Sequence, residues 1–350
     1  MGGERSTDQP PVMDYSFESG ELTLSGHLSE PEAGPADPPG LVLCHGFPTR
    51  GRESPQSGKS FPELADRIAA ELGWLVLTMN FRGCGRAEGD FSLLGWLDDV
   101  EAAVAHLQSL GAGGVWLAGV GSGGSLAIVE GARNPSVRGV AAMAAPGDFE
   151  DWARHPRRLL LHARQVQVIK GPDFPEHFDR WAAELKAVHP TRDAAALAPR
   201  PLLVLHGDSD DITPLADGHA LADAHGSAEM RVINGAGHEL RHDPRAIAIF
   251  FGWLRRQRIA SETEAAQVEA DEAEAVEVEA EQAEAVEVAA ADAAVARAAH
   301  DGAAAHDGAA AHDGAAPQDG AAAHDGEVAH DGEAAHDGAA PQDGAAAGPP

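Results

Sequence analysis

The stretch Leu117-Ala-Gly-Val-Gly-Ser-Gly-Gly124 decides the fold. It joins a continuously apolar run at 115–120 to a segment with helical spacing at 122–132, and glycines stand at 119, 121, 123 and 124. A buried strand that turns into a helix over glycines is the basic unit of a parallel sheet covered by helices. The same rhythm runs outward in both directions. Apolar strand-like runs at 40–46, 74–81, 137–145, 201–206 and 229–234 alternate with helical patterns at 60–72, 93–110, 215–225 and 244–258. On the first of those helices Phe61, Leu64, Ile68 and Leu72 share a face. A hairpin with Ser19-Gly20 at its turn precedes the series, over 15–28. The rhythm breaks after Pro146: residues 147–198 hold helical segments at about 154–170 and 176–188 and no strand, which marks an inserted cap.

Composition divides the 350 residues sharply. Residues 261–350 carry 22 acidic side chains against one basic residue, Arg297, and so −21 of the total charge of −31. Every aromatic residue and both cysteines lie before that point. The expected organisation is a flexible N-terminus (1–11), one domain (12–260) and an acidic tail (261–350). A domain of that size buries roughly 70–75 % of its unfolded surface. In the tail, 262–299 is Ala/Glu/Val-rich without a stripe of large apolar side chains, so any helix there is solvated and marginal. From Ala299 a six-residue A-H-D-G-A-A repeat follows, which cannot bury a core and reads as disordered. Its six His-Asp pairs read either as weak metal ligands or, more simply, as repeat filler.

Cys44 and Cys84 provide neither a disulfide framework nor zinc spacing; Cys44 falls inside a strand and Cys84 in a glycine-rich loop. No apolar run reaches the ~18 residues of a membrane span, and 1–11 lacks the apolar stretch of a signal peptide. A cytoplasmic protein is expected, and the 22 Arg against three Lys suggest a GC-rich bacterial source. The acidity excludes nucleic acid as the expected partner, because phosphate neutralisation needs a basic face. No cofactor or metal is implied. Residues 154–170 hold five basic side chains and no acidic one, which suits either an anionic ligand or the acidic tail, or is simply a solvated helix face.

Four segments carry chemistry. Gly119 to Gly123 fits the frame G-x-S-x-G of a nucleophile elbow with glycine, Gly121, in the nucleophile slot. His45-Gly46-Phe47-Pro48 closes the strand at 40–46, where Phe47 N–H and the Ser122 amide would form an oxyanion hole. His206-Gly-Asp-Ser-Asp-Asp-Ile-Thr-Pro214 offers Asp210 as the acid, and Gly235-Ala-Gly-His-Glu239 offers His238 as the base. Across about 15–258 the chain resembles the α/β-hydrolase superfamily, most of all bacterial esterases, dienelactone hydrolases and serine aminopeptidases with small helical caps. The resemblance implies an α/β-hydrolase fold: a mostly parallel central sheet with helices on both faces, a small helical cap and, here, a disordered C-terminal tail. The order nucleophile, acid, histidine is that of this fold.

Each residue also has a plain reading. Asp210 caps the helix that follows Pro214, and His238 is a loop histidine. Ser122 is either a displaced nucleophile or a helix-start serine, and a one-residue step along a helix rotates a side chain by about 100°, away from the base. Ser125, a turn further on, reads as packing. Glycine in the slot has a precedent in the N-myc-downregulated-like proteins, which this chain resembles at that one feature. Three functions follow as alternatives: a homologue without hydrolytic chemistry that binds a small molecule or partner, a carboxylic ester or thioester hydrolase using Ser122 or an activated water, or a cofactor-free lyase using the Asp210–His238 dyad.

Overall fold

The computed structural model describes residues 15–32, 35, 37–48 and 61–307, with side chains up to 299. The expectations for 1–11 and for the repeat beyond 307 lie outside the described residues. The chain divides into two units, Met1–Asp271 and Glu272–Pro350.

The first unit is built on an eight-stranded sheet in the order β1-β2-β4-β3-β5-β6-β7-β8. β1 (Tyr15–Ser19) and β2 (Leu22–Ser29) form the expected hairpin. Its turn is one residue later than the sequence suggested, because Gly20, at φ +61°, takes the positive-φ first position of a two-residue loop. β2 also pairs antiparallel with β4 (Leu75–Met79). From there the sheet is parallel through β3 (Gly40–Cys44), β5 (Val115–Val120), β6 (Val137–Met143), β7 (Leu202–Gly207) and β8 (Glu229–Ile233).

The central strands are apolar throughout because both faces are covered. In β3, Val42 and Cys44 pack with α2 (Leu93–Ser109) and α3 (Ser122–Arg133), while Leu41 and Leu43 pack with α1 (Phe61–Leu72) and the start of α9 (Pro244–Asp307). On the latter face Ile68, Trp74, Phe250, Trp253 and Leu254 are among the large buried side chains. Leu64, expected on the buried stripe of α1, is only half-buried, and Ala65 takes its place in the core.

The segment at 147–198 contains no strand, as expected, but four helices rather than two: α4 (Glu150–Arg154), α5 (Pro156–Gln165), α6 (Phe178–Glu184) and α7 (Pro190–Leu197). His155-Pro156 and His189-Pro190 supply two of the breaks, since proline is admitted at the first helical position and not within a helix. α7 packs on α3 and on α8 (Leu215–His225), so it belongs to the covering layer and not to the cap.

α9 does not stop near 258 as its amphipathic pattern suggested. Between Gly252 and Gly302 there is no glycine or proline, and Ala and Glu are strong helix formers. The described residues of the second unit, 272–307, are helical, and 272–299 are exposed throughout. The solvated helix admitted for 262–299 is thus present, and it runs on into the start of the repeat as far as Asp307, where disorder was expected from Ala299. Among the described residues no helix is long and apolar enough to cross a membrane.

Candidate active site

The strand order reverses between β3 and β5, since the chain runs from β3 outward to β4 and then returns to β5 on the other side. In open parallel sheets ligands bind beyond the carboxyl ends of the strands at such a switch point. His45-Gly46-Phe47 leaves β3 there and Gly121 leaves β5, while Asp210 and His238 follow β7 and β8.

The turn at 119–124 is held by close backbone approach. A Cβ on Gly119 would lie 2.4 Å from the Gly123 carbonyl carbon, and one on Gly123 would lie 2.3 Å from the His45 carbonyl oxygen. Both positions are closed to any side chain. Gly121 differs. Its backbone is strained, at φ +56° and ψ −131°, a region that costs a non-glycine residue of order 1–3 kcal/mol. Yet the space around it is open: a Cβ there would meet His238 Nε2 at 3.4 Å and nothing closer. Gly121 N–H donates to the Met143 carbonyl at 2.9 Å, and its own carbonyl accepts from Gly124 N–H at 2.9 Å, which fixes the turn at the mouth of α3.

His238 and Asp210 are brought together as expected, with Nδ1 and Oδ2 3.0 Å apart. The Asp210 side chain is fully buried. Its Oδ1 accepts from the N–H groups of Ile212 and Thr213, each at 2.9 Å. Asp210 thus holds His238 with one oxygen and the loop at 212–213 with the other, but it does not cap the next helix, whose N-cap is Pro214 without a side-chain bond. A carboxylate that receives Nδ1–H holds the ring in the tautomer that leaves Nε2 free to take a proton, and Nε2 is the atom that faces the Gly121 position. Behind the pair, His206 is completely buried, bonds the Thr213 carbonyl through Nε2 at 3.0 Å, and stands 3.6 Å from Asp210 Oδ2. The sequence reading treated His206 only as the start of a motif.

Ser122 is 5 % exposed, and its Oγ accepts the Phe47 N–H at 2.9 Å. That contact joins residues 75 positions apart, and no local pattern announces it. Ser125 Oγ donates to the Pro146 carbonyl at 2.7 Å, the packing role expected of it. His45 sits beneath the loop, where Nδ1–H donates to the Gly46 carbonyl at 2.7 Å and Nε2 accepts from Phe81 N–H at 3.2 Å. Burial lowers its pKa to about 4 and keeps it neutral. Burial also raises the thiols of Cys44 and Cys84 far above the usual range, so both are inert.

The Phe47 ring is packed by Phe91, Trp96, Trp152 and His162, with centroids 5.0, 5.6, 5.2 and 5.8 Å away. Trp152 and His162 come from α4 and α5, so the cap closes on the residue beside the expected oxyanion site. Its base is tied down by Phe91 N–H to the Val168 carbonyl (2.9 Å), Trp181 Nε1–H to the Phe91 carbonyl (3.0 Å), and Gly171 N–H to Asp90 Oδ1 (3.0 Å). A cavity of about 590 Å³ on the cap is lined by Trp152, Leu159, Leu161 and His162, with Asp151 and Arg158 at its polar side.

Two of the five basic side chains of 154–170 pair with acids of the cap. Arg154 pairs with Glu150 and Arg158 with Asp151, Arg157 lies over the Phe178 ring, and Arg164 donates to the Pro172 and Phe174 carbonyls. The two acids lie just before the stretch, so its charge alone left the anion-site and solvated-face readings both open. Among the described residues no cluster of His, Cys, Asp or Glu has the arrangement of a metal site.

This geometry has a family. Residues 41–250 match the model of the alpha/beta hydrolase family, and the chain belongs to it. It is 25 % identical over 237 residues to a pimeloyl-[acyl-carrier protein] methyl ester esterase of Xanthomonas axonopodis pv. citri, covering 57 % of this chain and 88 % of that one. It is 27 % identical over 246 residues to a monoacylglycerol lipase of Mycolicibacterium smegmatis (59 % and 84 %). Among solved structures, Est1E from Butyrivibrio proteoclasticus with bound ferulic acid superposes with a TM-score of 0.55 at 17 % identity, covering 71 % of this chain and 99 % of that one. The alpha/beta hydrolase GrgF from Penicillium sp. sh18 does so with a TM-score of 0.54 at 17 % identity (70 % and 98 %).

Proposed function

We propose that this chain is an alpha/beta hydrolase homologue that forms no acyl-enzyme and holds a small-molecule ligand, or a partner, in the capped pocket, with Gly121 in the nucleophile position. One observation carries the reading. The turn keeps the strained backbone of an elbow and aims the missing side chain at His238 Nε2, 3.4 Å from where its Cβ would be, but glycine brings no atom that can attack. Ser122 does not substitute for it: its Oγ accepts from Phe47 N–H, and among the described residues it makes no hydrogen bond to His238. Activation of a nucleophile requires a hydrogen bond to the base. Exposure of the wild-type protein to a fluorophosphonate, with mass spectrometry of the adduct, tests this: no serine becomes specifically labelled, and p-nitrophenyl acetate turns over no faster than with His238→Ala. Specific labelling of Ser122 would overturn the reading.

A second reading is favoured by the intact dyad and by relatives that are named an esterase and a lipase. In it a water occupies the space beside Gly121, gives its proton to His238 Nε2 and attacks a bound ester directly. The leaving alcohol then takes that proton from the imidazolium, and no covalent intermediate forms. Turnover of p-nitrophenyl acetate that vanishes with His238→Ala yet resists fluorophosphonate would select this reading over the first.

A further inference from the structure

From the Phe47–Ser122 contact we infer that the Ser122 hydroxyl is a built-in occupant of the oxyanion site, competing with any carbonyl or tetrahedral oxygen for the Phe47 amide. The inference rests on Gly121 marking the nucleophile position, and it adds a second, separate restriction on acyl chemistry. The amide that closes β3 has one hydrogen to give, and it gives it to Ser122 Oγ at 2.9 Å. Neither partner has freedom to move away. Phe47 is locked by four rings: Phe91 from the loop before α2, Trp96 from α2, and Trp152 and His162 from the cap. A Cβ on the preceding Gly46 would come within 3.0 Å of the Val120 carbonyl oxygen, so the loop lies directly on the end of β5. Ser122 is the first residue of α3, is 95 % buried, and follows a turn anchored by Gly121 N–H to Met143 and by Gly124 N–H to Gly121. A hydroxyl at this position reaches the amide across a fixed gap.

The consequence is a change in what the pocket recognises. An oxyanion hole works by presenting N–H donors to the place where negative charge develops, and loss of one donor in such a site costs ~10²–10³ in kcat. With Phe47 N–H engaged, a ligand oxygen meets the Ser122 side chain where a substrate carbonyl would meet the amide. Ser122 is therefore a specificity-determining residue that denies the Phe47 amide to carbonyl oxygens in this recess, independently of whether a nucleophile is present.

Two measurements test it on the full chain. In an otherwise wild-type background, Ser122→Ala should move the Phe47 amide proton upfield and speed its exchange, while Ser122→Thr, which keeps a hydroxyl, should leave it in place. An unchanged Phe47 amide in Ser122→Ala would refute the contact. In the second measurement Gly121→Ser is compared with Gly121→Ser/Ser122→Ala for p-nitrophenyl acetate hydrolysis and for the rate of fluorophosphonate labelling. Freeing the amide should raise kcat/KM and the labelling rate of the double variant by about 3- to 10-fold, the range of one ordinary hydrogen bond that no longer has to be broken. Equal or lower rates in the double variant would refute the competition. If both variants are folded and inert, the assignment of Gly121 has failed, and the amide measurement alone still decides where the Ser122 hydroxyl is bound.

Discussion

Replacing Gly121 by serine asks whether the rest of the catalytic frame is in working order. The new Cβ would enter open space, with His238 Nε2 at 3.4 Å, Cε1 at 3.7 Å and the Gly46 Cα at 3.8 Å, so no neighbour has to shift. The cost is in the backbone. At φ +56° an L-residue is strained by about 1–3 kcal/mol, and at ~2–4 °C per kcal/mol for a domain of this size the melting temperature should fall by roughly 2–12 °C. The return is an attacking oxygen one bond beyond that Cβ, beside an imidazole whose far nitrogen is already held by Asp210 at 3.0 Å. Loss of the serine from a working triad costs ~10⁶ in kcat. Recovery of even the square root of that factor would give about 10³-fold more p-nitrophenyl acetate hydrolysis than the wild type. The activity should disappear with a second substitution, His238→Ala, and on fluorophosphonate treatment. A variant that melts within the expected range, stays unlabelled and shows no gain would mean that the dyad and the slot do not form one site.

Asp210→Ala should destabilise the domain by roughly 1–3 kcal/mol in chemical denaturation, because the N–H groups of Ile212 and Thr213 lose their acceptor; Asp210→Asn, which keeps Oδ1, should cost clearly less, and equal losses would refute the divided role of the carboxylate. Burial raises Glu130 to about 7, against the one hydrogen bond from Asn134 that lowers it. Its folded pKa lies above its unfolded one, so the protonated form contributes stability that is complete below pH 4.5 and is lost as pH rises through 7. Glu130→Gln should accordingly match the wild type near pH 4.5 and be more stable by about 1–3 kcal/mol at pH 8; urea midpoints that differ equally at both pH values would refute it. Truncation after Asp271 keeps the Arg138–Glu264 and Arg258–Glu262 pairs and should move the melting temperature of the remaining chain by no more than about 2 °C, since exposed residues away from packing contribute within ~0.5 kcal/mol. Loss of a cooperative transition would show that residues 272–350 are structural.

The sheet was legible because its signals are local. β5 and α8 begin and end where the sequence reading put them, since glycine turns, a proline at 214 and unbroken apolar runs mark their ends. The dyad was legible for another reason: His206 to Pro214 and Gly235 to Glu239 are short motifs whose order along the chain matches the order of strand ends. The cap was not, because helices of five to ten residues leave too few turns for a periodicity to show, and proline placement settles their boundaries. Charge decided little at 154–170 for a similar reason, as net charge counted over a window ignores partners at 150 and 151 just outside it. The bond between Phe47 and Ser122 lay beyond reach altogether, because it exists only once β3 and β5 lie side by side.

Three glycines of one short turn answer to two different constraints, and that difference sets Gly121 apart. Gly119 and Gly123 are required by contact: any side chain would strike backbone atoms within 2.4 Å, so the fold itself forbids substitution there. At Gly121 contact forbids nothing, and only the positive φ favours glycine. A serine in that place would introduce strain, which sites of chemistry tolerate because the reaction needs the geometry. Glycine relieves that strain and forfeits the attacking atom, while the surrounding groups, down to the two acceptor roles of Asp210, stay in place. Under the proposed non-hydrolytic reading, the fold gains stability at the one residue where acyl-enzyme chemistry would have required strain, and the pocket is left to bind.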